Sequence, residues 1–331
     1  MKFKILLFLP LSLIILLSSC SDDTTEIGNW VTLPYFEGKP RAHGACFEFD
    51  TIAFFGLGKD DDEYISDFWK YSFAQEKWVP AATFPGIPRA HCASVATSKK
   101  GYVGMGYEGN KDLSDFWEYD PIADTWTQLD SFPGGARRYA SAFAIGDDVY
   151  FGLGTMDDDD IYMNDFWKYS NGKWSRATAL AGEKRSHANL VNYKNMVYVI
   201  GGRRSGGPLS DMWEFVPETE KWKSLTKTND QDLGSSDVPR YDACTFVSEG
   251  NIYLAGGTQG STPLSTVYEW NNIDSMWIKK TSVETGFTRQ GAGSFTINNI
   301  GYIVGGRSGV KYLDDFYRFE PYVERNPDDN N

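Results

Sequence analysis

A sixfold repeat of about 48 residues is the feature that most constrains the fold of this 331-residue chain. An arginine opens each block, and successive arginines lie 48, 48, 48, 55 and 49 residues apart. A glycine follows every one of these arginines by seventeen residues. Because self-similarity at a fixed period is the signature of repeat architectures, it takes precedence over residue-by-residue assignment. The pairs are Arg41 and Gly58, Arg89 and Gly106, Arg137 and Gly154, Arg185 and Gly202, Arg240 and Gly257, and Arg289 and Gly306.

Aromatic residues keep two further fixed positions in the repeat. One follows the glycine by eleven residues in five blocks and by thirteen in the third, where an acidic loop is longer. The other is a tryptophan later in the block. Ten of the eleven tryptophans occupy one of these positions when Trp30 is counted with the second, and Trp270 is the exception. The first position holds Trp69, Trp117, Trp167, Trp213, Tyr268 and Tyr317, and the second holds Trp78, Trp126, Trp174, Trp222 and Trp277.

Each block predicts four short strands. In the first block these are His43 to Phe49, Ile52 to Phe55, Asp67 to Tyr71, and a strand centred on Trp78. Four strands of five or six residues with their turns fill about 48 residues, which is the size of one propeller blade. No segment sustains an apolar period of 3.6 residues, so a helical fold is excluded. The sequence therefore predicts an all-β, six-bladed β-propeller.

The glycines and aromatics together resemble kelch repeats, as found in the galactose oxidase family of propellers. The resemblance rests on the glycine pairs 201–202, 256–257 and 305–306, each followed by Tyr or Trp and, in the first two of these blades, a later Trp, and it covers residues 28 to about 321. Blades one to three depart from the pattern at the first glycine, so we expect their turns to differ slightly. The replacing residues are Leu57, Met105 and Leu153.

The two ends of the repeat region predict how the ring closes. The sixth block runs to Pro321 without a second tryptophan, and Asn326 stands where that residue is expected. The missing element occurs at the front of the chain, where Trp30 lies in the segment 29–34. We expect this N-terminal strand to complete the last blade, because pairing satisfies both open strand edges. The propeller domain is then 29–321, followed by a polar tail, 322–331.

The first nineteen residues predict an export signal. Lys2 and Lys4 precede an apolar run at 5–17. Thirteen residues at about 1.5 Å each are too short for a hydrocarbon core of ~30 Å, so a signal peptide is favoured over a membrane span. The run ends in Leu17-Ser18-Ser19-Cys20, which resembles the lipobox of bacterial lipoproteins. The resemblance implies cleavage after residue 19 and a diacylglycerol thioether on Cys20.

Residues 20–28 form the predicted polar tether of an outer-membrane lipoprotein. The acids Asp22 and Asp23 resemble a surface-export signal of some Gram-negative lipoproteins, although Thr24 stands where a further acid is common. A solvated tether explains the same residues, so periplasmic and surface orientation both remain open. Removal of residues 1–19 takes away two lysines and no acids, which changes the net charge from −13 to −15.

Charge and cysteine usage exclude several function classes. A net charge of −13 argues against a nucleic-acid partner, which requires a basic face. Cys46, Cys92 and Cys244 each fall in an apolar strand, which favours small buried thiols over a disulfide or metal site. The acidic loops 60–63 and 157–160 lack the EF-hand pattern and are interpreted as solvated loops, with calcium binding left open. We expect no cofactor and no bound metal.

The resemblance implies that the start of each innermost strand faces a central opening, the mouth. It places there the six repeat arginines and the residues two positions later, which include all three histidines. Guanidinium groups bind planar anions bidentately, so the mouth suits carboxylates, sulfates or a sugar acid. A purely structural role, tying blade to blade through backbone carbonyls, explains the same repetition. The candidate ligand-binding residues are Arg41, Arg89, Arg137, Arg185, Arg240, Arg289, His43, His91, Tyr139, His187 and Asp242.

Two functions remain open at this point. The first is a monomeric, non-catalytic binding module for a glycan, a sugar acid or a protein. The second is an enzyme similar to the sialic-acid mutarotases, which are exported kelch propellers. In that case Asp242 is the best acid–base candidate, with His91 or His187 beside it. Galactose oxidase chemistry needs further domains and a Tyr–Cys crosslink of which the chain gives no sign. Fold alone does not choose between the first two.

Overall fold

The computed structural model describes residues 27–156, 161–225, 238–283, 288–326 and 328. This part of the chain is built of strands and turns and contains no α-helix. Consequently, none of the described residues belongs to a helix that could cross a membrane. The predicted signal peptide, Cys20, most of the tether and the acidic loop 157–160 lie outside the described residues.

Thirty-two strands follow one another along the chain. The first eleven are β1 (Ile27–Leu33), β2 (Ala45–Phe49), β3 (Ile52–Gly56), β4 (Phe68–Ser72), β5 (Lys77–Ala81), β6 (Ala93–Ala96), β7 (Gly101–Gly104), β8 (Phe116–Asp120), β9 (Thr125–Leu129), β10 (Ser141–Ile145) and β11 (Asp148–Gly152). The next ten are β12 (Thr155–Met156), β13 (Ile161–Tyr162), β14 (Phe166–Ser170), β15 (Lys173–Ala177), β16 (Asn189–Tyr193), β17 (Met196–Ile200), β18 (Arg203–Arg204), β19 (Gly207–Pro208), β20 (Met212–Val216) and β21 (Lys221–Ser224). The last eleven are β22 (Cys244–Ser248), β23 (Asn251–Ala255), β24 (Thr258–Gln259), β25 (Thr262–Pro263), β26 (Val267–Asn271), β27 (Met276–Lys280), β28 (Gly293–Ile297), β29 (Ile300–Val304), β30 (Arg307–Ser308), β31 (Lys311–Tyr312) and β32 (Phe316–Glu324).

Six antiparallel sheets of four strands form the blades of a propeller. From the innermost strand outward they are β2-β3-β4-β5, β6-β7-β8-β9, β10-β11-β14-β15, β16-β17-β20-β21, β22-β23-β26-β27 and β28-β29-β32-β1. The innermost strands of neighbouring blades contact each other around the ring, and β28 contacts β2 to close it. The predicted all-β, six-bladed architecture is confirmed. The strand bounds predicted for blade one agree with β2 to β5 within two residues.

Ring closure by the N-terminal strand is also confirmed. β1 pairs antiparallel with β32, with Trp30 opposite Phe319. The Trp30 indole Nε1 donates to the Thr281 carbonyl of blade five at 3.3 Å. The same bond recurs elsewhere, for example from Trp126 to the Ala82 carbonyl of the preceding blade at 2.9 Å. Trp30 therefore fills the repeat position that the sixth block lacks.

The turns of blades one to three do not differ from the glycine-pair turns, contrary to expectation. Leu57, Met105 and Leu153 have φ values of 56°, 61° and 56°, beside 58° at Gly201. Their side chains are fully buried between sheets, which offsets the strain of a left-handed conformation. The next position does require glycine: at Gly202, with φ of 100°, a β-carbon would lie 2.8 Å from the Ser186 carbonyl oxygen.

Large aromatic side chains fill the spaces between blades. Trp78 of blade one, for instance, packs against Phe316 of blade six with ring centres 5.4 Å apart. The cysteines also line these sheets, and Cys46, Cys92 and Cys244 are all free thiols. Burial raises the pKa of Cys92 to about 11 and that of Cys244 to about 12, so both thiols stay protonated and unreactive at neutral pH.

Candidate functional site

The six repeat arginines lie inside the blades and not on the surface of the mouth. All are at most 1% exposed. Each guanidinium group is already engaged by acceptors of its own blade. The prediction that these arginines contact a ligand is therefore corrected, because a buried guanidinium that already bonds its own blade is not accessible to an anion in the mouth. The corrected residues are Arg41, Arg89, Arg137, Arg185, Arg240 and Arg289.

The side-chain contacts of these arginines repeat from blade to blade. Arg185 donates to the Gly201 carbonyl at 2.9 Å and to both carboxylate oxygens of Asp211 at 2.6 Å. Arg89 makes the equivalent bonds to the Met105 carbonyl and to Asp115. In blade five Thr266 takes the place of the acid. The fork pins the start of the innermost strand to the turn between the second and third strands.

The backbone of the same arginines joins neighbouring blades. The N–H of each repeat glycine donates to the carbonyl of the arginine that opens the next blade, for example from Gly58 to Arg89 at 2.8 Å. The last bond of the set runs from Gly306 to Arg41 at 2.7 Å and crosses the closure. A structural role therefore accounts for these arginines. Their side chains connect segments of one blade, and their backbone carbonyls connect neighbouring blades.

The residues two positions after each arginine lie around the channel axis. All six have φ between 53° and 62°, and this left-handed turn directs them away from the arginines into the channel. Five backbone hydrogen bonds of 2.7–3.1 Å join them, in which the N–H of one member donates to the carbonyl of the member before it in the ring. The bond from His43 to Gly291 crosses the closure. The six residues, called here the axial ring, are His43, His91, Tyr139, His187, Asp242 and Gly291.

The side chains of the axial ring close the channel. The rings of His43 and His91 lie 4.3 Å apart, His91 and Tyr139 lie 4.3 Å apart, and Tyr139 stacks on His187 at 3.5 Å. At Gly291 a β-carbon would lie 2.5 Å from the His43 imidazole, so that imidazole occupies the space a sixth side chain would need. The structure therefore brings together the predicted residues His43, His91, Tyr139, His187 and Asp242.

The three imidazoles are neutral. Burial and the positive charge of Arg307 lower the pKa of His43 to about 3. Burial likewise lowers the pKa of His91 and His187 well below the usual value, and neighbouring imidazoles and arginines act in the same direction. Neutral imidazoles offer one donor and one acceptor each, which suits contacts to a polar ligand. No cluster of three potential metal ligands occurs among the described residues.

Above the axial ring, a cavity of about 490 Å³ opens at the mouth. This mouth cavity has four basic side chains and one acidic side chain in its wall, together with five tyrosines. The basic residues are Lys59, Arg138, Arg203 and Arg307, the acid is Asp242, and the tyrosines are Tyr64, Tyr107, Tyr139, Tyr241 and Tyr312. The wall is therefore positively charged, whereas the chain as a whole carries a net charge of −13.

The basic residues come from two recurring positions, directly after the repeat arginine or directly after the repeat glycine. An antiparallel bridge joins these two positions in every blade, as between Ser186 and Arg203 or between Gln290 and Arg307. Backbone pairing thus fixes six pairs of side chains around the mouth. The two-stranded hairpins that begin directly after the repeat glycines, such as β18-β19 and β30-β31, form the rim of the mouth.

Two of the arginines are held by neighbours. The Gln290 amide is oriented so that its oxygen accepts from Arg307 Nε at 2.7 Å and Nη2 at 3.1 Å, while its nitrogen donates to Thr258 Oγ1. Arg138 lies over the Tyr107 ring at 4.0 Å and pairs with Asp112 at 2.7 Å. These contacts orient the guanidinium groups before any ligand binds, which lowers the entropy cost of binding.

Asp242, in the wall of the mouth cavity, has a carboxyl pKa near neutral pH. Burial raises the pKa of its carboxyl to about 7, and the positive charges of Arg307 and Arg203 limit the rise. A carboxyl with such a pKa exchanges protons readily at physiological pH, as an acid–base group must.

The opposite end of the channel is a less suitable ligand site. A cavity of about 670 Å³ opens there, lined by hydroxyl and amide side chains and by Glu48. Several of these polar groups already bond across blades: Ser94 Oγ bridges the backbone of Cys46, and Thr296 Oγ1 bridges that of Val247. Burial raises the pKa of Glu48 to about 7.

The acidic loop 60–63 makes hydrogen bonds within itself, since the Asp60 carboxylate accepts from the backbone N–H groups of Asp62 and Glu63.

The basic residues of the wall were not singled out from the sequence as ligand-binding residues; they are Lys59, Arg138, Arg203 and Arg307. A usable signal was present, since Arg203 and Arg307 directly follow repeat glycines and Arg138 directly follows a repeat arginine. Adjacent residues of an extended strand point in opposite directions. A buried arginine at 137 therefore implied an outward-facing one at 138.

Comparison with known proteins agrees with this architecture. Residues 173–325 match the model of the KLHDC2/KLHL20/DRC7 Kelch-repeats domain. The chain is 26% identical over 165 residues to a Leucine-zipper-like transcriptional regulator 1 homolog of Drosophila melanogaster, covering 46% of this chain and 16% of that protein. It is 26% identical over 117 residues to Beta-scruin of Limulus polyphemus, covering 35% of this chain and 13% of that protein.

The matched segments thus span less than a fifth of either relative. Among solved structures, one titled "Structure of YjhT" superimposes with a TM-score of 0.71 and 19% identity. The superposition covers 86% of this chain and 96% of that one, which shows a common fold. The repeat spacing, the six four-stranded blades and these matches together identify the chain as a kelch-repeat β-propeller.

Proposed function

We propose that the chain is a binding module that holds a small carboxylated sugar, free or at the end of a glycan, in the mouth cavity. The observation that carries this proposal is the inverted charge of the wall, with Lys59, Arg138, Arg203 and Arg307 facing a cavity of about 490 Å³ in an acidic protein. A basic cleft in an acidic molecule concentrates the field on anionic ligands and excludes cationic ones.

The other lining groups favour a sugar over a simple inorganic anion. Five tyrosines in the wall supply aromatic surface against which a pyranose ring can pack. Neutral imidazoles at the floor supply further donors and acceptors. A volume of this order fits one or two monosaccharide rings. The arginine forks then fix the carboxylate of the ligand.

Removal of two mouth arginines tests the proposal. In the 21–331 fragment, Arg203→Ala and Arg307→Ala should each weaken binding of a sugar acid by about tenfold to a hundredfold, since a hydrogen bond to a charged group contributes about 1.5–3 kcal/mol. A glycan array identifies the ligand, and isothermal titration measures the affinity.

Arg204→Ala is the matched control for Arg203→Ala. Arg204 is adjacent in sequence, but its side chain is 49% exposed, pairs with Glu183 at 3.5 Å and does not line the cavity. Binding should be unchanged in this variant. Equal losses for Arg203→Ala and Arg204→Ala would show general charge attraction and refute the mouth site.

The ionisation of Asp242 predicts a pH dependence of binding. Because the pKa of Asp242 is raised to about 7, its carboxyl is largely neutral at pH 6 and largely ionised at pH 8. An anionic ligand is repelled only by the ionised form, so affinity should fall as pH rises through 7, by about tenfold or ~1.4 kcal/mol. Titration of the Asp242→Asn variant should give an affinity that is constant over this range. A wild-type affinity that rises with pH would contradict the assignment.

Catalysis at the same site is the second candidate function, favoured by the pKa of Asp242. A mutarotase for sugar acids requires a group that gives and takes a proton near neutral pH, and Asp242 meets this requirement inside the cavity. Anomer exchange of sugar acids followed by NMR separates the two candidates. Faster exchange that Asp242→Asn abolishes without loss of binding would make the protein an enzyme, and unchanged exchange rates would leave the binding module.

The propeller is further proposed to be held at a bacterial membrane through a lipid on Cys20. The support is the sequence Leu17-Ser18-Ser19-Cys20 at the end of a thirteen-residue apolar run. Mass spectrometry of the membrane fraction should find a diacylglycerol thioether on Cys20, and Cys20→Ala should leave the protein unlipidated. Protease treatment of intact cells then tells surface display from a periplasmic orientation.

A further inference from the structure

Exposed apolar side chains concentrate on the face of the propeller opposite the mouth, called here the lower face. In each blade the innermost strand starts at the mouth and runs down, so the turns between third and fourth strands lie on the lower face. Seven of the twelve large apolar side chains that are exposed in the described part of the chain lie there. They are Ile27, Ile52, Ile122, Ile273, Met276, Tyr322 and Val323.

Five of these seven lie at the lower ends of the outer strands of blades five and six. This blade-six edge consists of Ile27, Ile273, Met276, Tyr322 and Val323. Ile27 pairs with Glu324 at the lower end of the β1-β32 ladder. The Asn251 amide of blade five donates to the Tyr322 hydroxyl, and Lys280 lies 5.1 Å from the Tyr322 ring centre. The ends of the two blades are thus in direct contact.

The chain itself leads from this edge to the proposed lipid. Ile27 is the first described residue, and only six residues separate it from Cys20. Seven extended peptide steps span at most about 25 Å, so a lipid on Cys20 holds the blade-six edge close to the headgroups. Single scattered apolar residues need no explanation, but a group placed at the anchor point of the chain does.

Charge does not oppose such an approach at this edge. The segments 271–280 and 320–326 carry three basic and three acidic side chains, whereas the whole chain carries −13. The edge itself is therefore locally balanced, while the adjoining tether adds the acids Asp22, Asp23 and Glu26 and the tail adds Asp328 and Asp329. Amphipathic surfaces of this kind bury apolar side chains at the boundary of headgroups and acyl chains.

We propose that the blade-six edge docks on the surface of the bilayer that holds the Cys20 lipid. This inference rests on the proposed lipid anchor and extends it, because the anchor alone leaves the orientation of the propeller free. Docking places the blade-six edge of the lower face on the membrane, lifts the lower face of blade two away from it and turns the mouth cavity outward, toward soluble or cell-surface ligands. Ile273 and Tyr322 insert between the headgroups.

The test places a photo-crosslinker at defined positions of the 21–331 fragment, with a hexahistidine tag at its start in place of the lipid. The fragment is bound to vesicles of phosphatidylethanolamine and phosphatidylglycerol that contain a nickel-chelating lipid. With p-benzoylphenylalanine at position 273, mass spectrometry should detect protein–lipid crosslinks. Crosslinking should be about tenfold weaker with the same group at Val310, on the rim of the mouth, since that side chain then faces water.

Ile122 provides the matched control. It occupies the same turn position in blade two, four residues before a tryptophan, with the same turn: the Asp120 carboxylate accepts from the Ile122 N–H as the Asn271 amide oxygen accepts from that of Ile273. The side chains are 96% and 92% exposed. A crosslinker at 122 therefore measures the lipid-crosslinking yield of an equally exposed side chain that does not dock. The yield at 273 should exceed it.

Two outcomes decide between docking and free movement of the propeller on its tether. Strong crosslinking at 273 with weak crosslinking at 122 and 310, reduced by the double change Tyr322→Ser and Val323→Ser, supports docking. Equal yields at 273, 122 and 310 would overturn it, since they mean that the propeller tumbles on its tether. Because the tag replaces the lipid, the result does not depend on whether Cys20 is modified, which the mass of the membrane form tests separately.

Discussion

The change Arg89→Ala should lower the free energy of unfolding by about 3–5 kcal/mol, because loss of one partner of a buried ion pair leaves the other uncompensated. Arg89 is fully buried. It donates to the Ile87 and Met105 carbonyls at 2.9 and 3.1 Å and to both oxygens of Asp115 at 2.5 and 2.6 Å. In the variant both carbonyls lose this donor, and the Asp115 carboxylate keeps the Trp117 indole N–H at 2.7 Å.

Arg89→Lys should recover only part of this stability. A lysine ammonium cannot reproduce the planar fork that spans the two Asp115 oxygens and a carbonyl. Chemical denaturation of wild type and both variants gives the free energies. Lys223→Ala removes an exposed ion pair with Glu214 at 3.3 Å and serves as the control, with an expected change below about 1 kcal/mol.

The pH dependence of the difference in free energy of unfolding between wild type and Arg89→Ala gives an independent check. Burial alone would raise the pKa of Asp115, but the hydrogen bonds and charge of Arg89 bring it below the usual value. A carboxyl with a depressed folded-state pKa contributes stability above its unfolded pKa and loses it as pH falls through the folded one. The gap between wild type and Arg89→Ala should therefore narrow below about pH 4. A difference in the free energy of unfolding under ~1 kcal/mol at neutral pH would contradict a structural role for the Arg89 side chain.

The same arginines show where sequence reasoning succeeds and where it stops. The offset of seventeen residues from Arg185 to Gly202 predicted the blade and its strands, because the geometry of one blade repeats at a constant period. It did not predict the direction of the side chain. The left-handed φ of 53° at His187 turns the chain between the two positions, so alternation did not keep Arg185 and His187 on one side.

The mouth was predicted in part. His43, His91, Tyr139, His187 and Asp242 do meet at the channel axis, as their common repeat position indicated. The charged wall was not foreseen, because Arg138, Arg203 and Arg307 occupy positions that hold other residues in the remaining blades. A repeated residue reports the scaffold, whereas a residue that varies at an exposed repeat position reports the ligand. The repeat that predicted the fold therefore did not single out the residues that we propose to bind the ligand.

The change Trp30→Ala should cost about 3–5 kcal/mol and should open the ring at blade six. Such a loss is typical of removing a buried aromatic side chain. Trp30 is fully buried, lies 4.5 Å from Phe319 of its own blade and 6.1 Å from Phe246 of blade five, and donates to the Thr281 carbonyl. It thus connects the first strand of the chain to two blades at the other end.

The location of faster hydrogen exchange tells whether Trp30 closes the ring or only packs in the core. In Trp30→Ala, hydrogen exchange measured by mass spectrometry should accelerate first in β1 and β32, because their pairing encloses the longest loop in the chain and has the largest closure entropy to overcome. Trp126→Ala removes the equivalent bond in blade two, where both strands are local in sequence, and should accelerate exchange only nearby.

Trp30→Phe separates burial from the hydrogen bond. The phenyl ring retains most of the apolar contact with Phe319 and Phe246 but cannot donate to Thr281, so the expected loss is about 1 kcal/mol. Uniform acceleration of exchange over all six blades in Trp30→Ala would mean that the ring unfolds as a single unit. In that case blade six would not be less stable than the other blades, and the N-terminal strand would have no special role in holding the propeller closed.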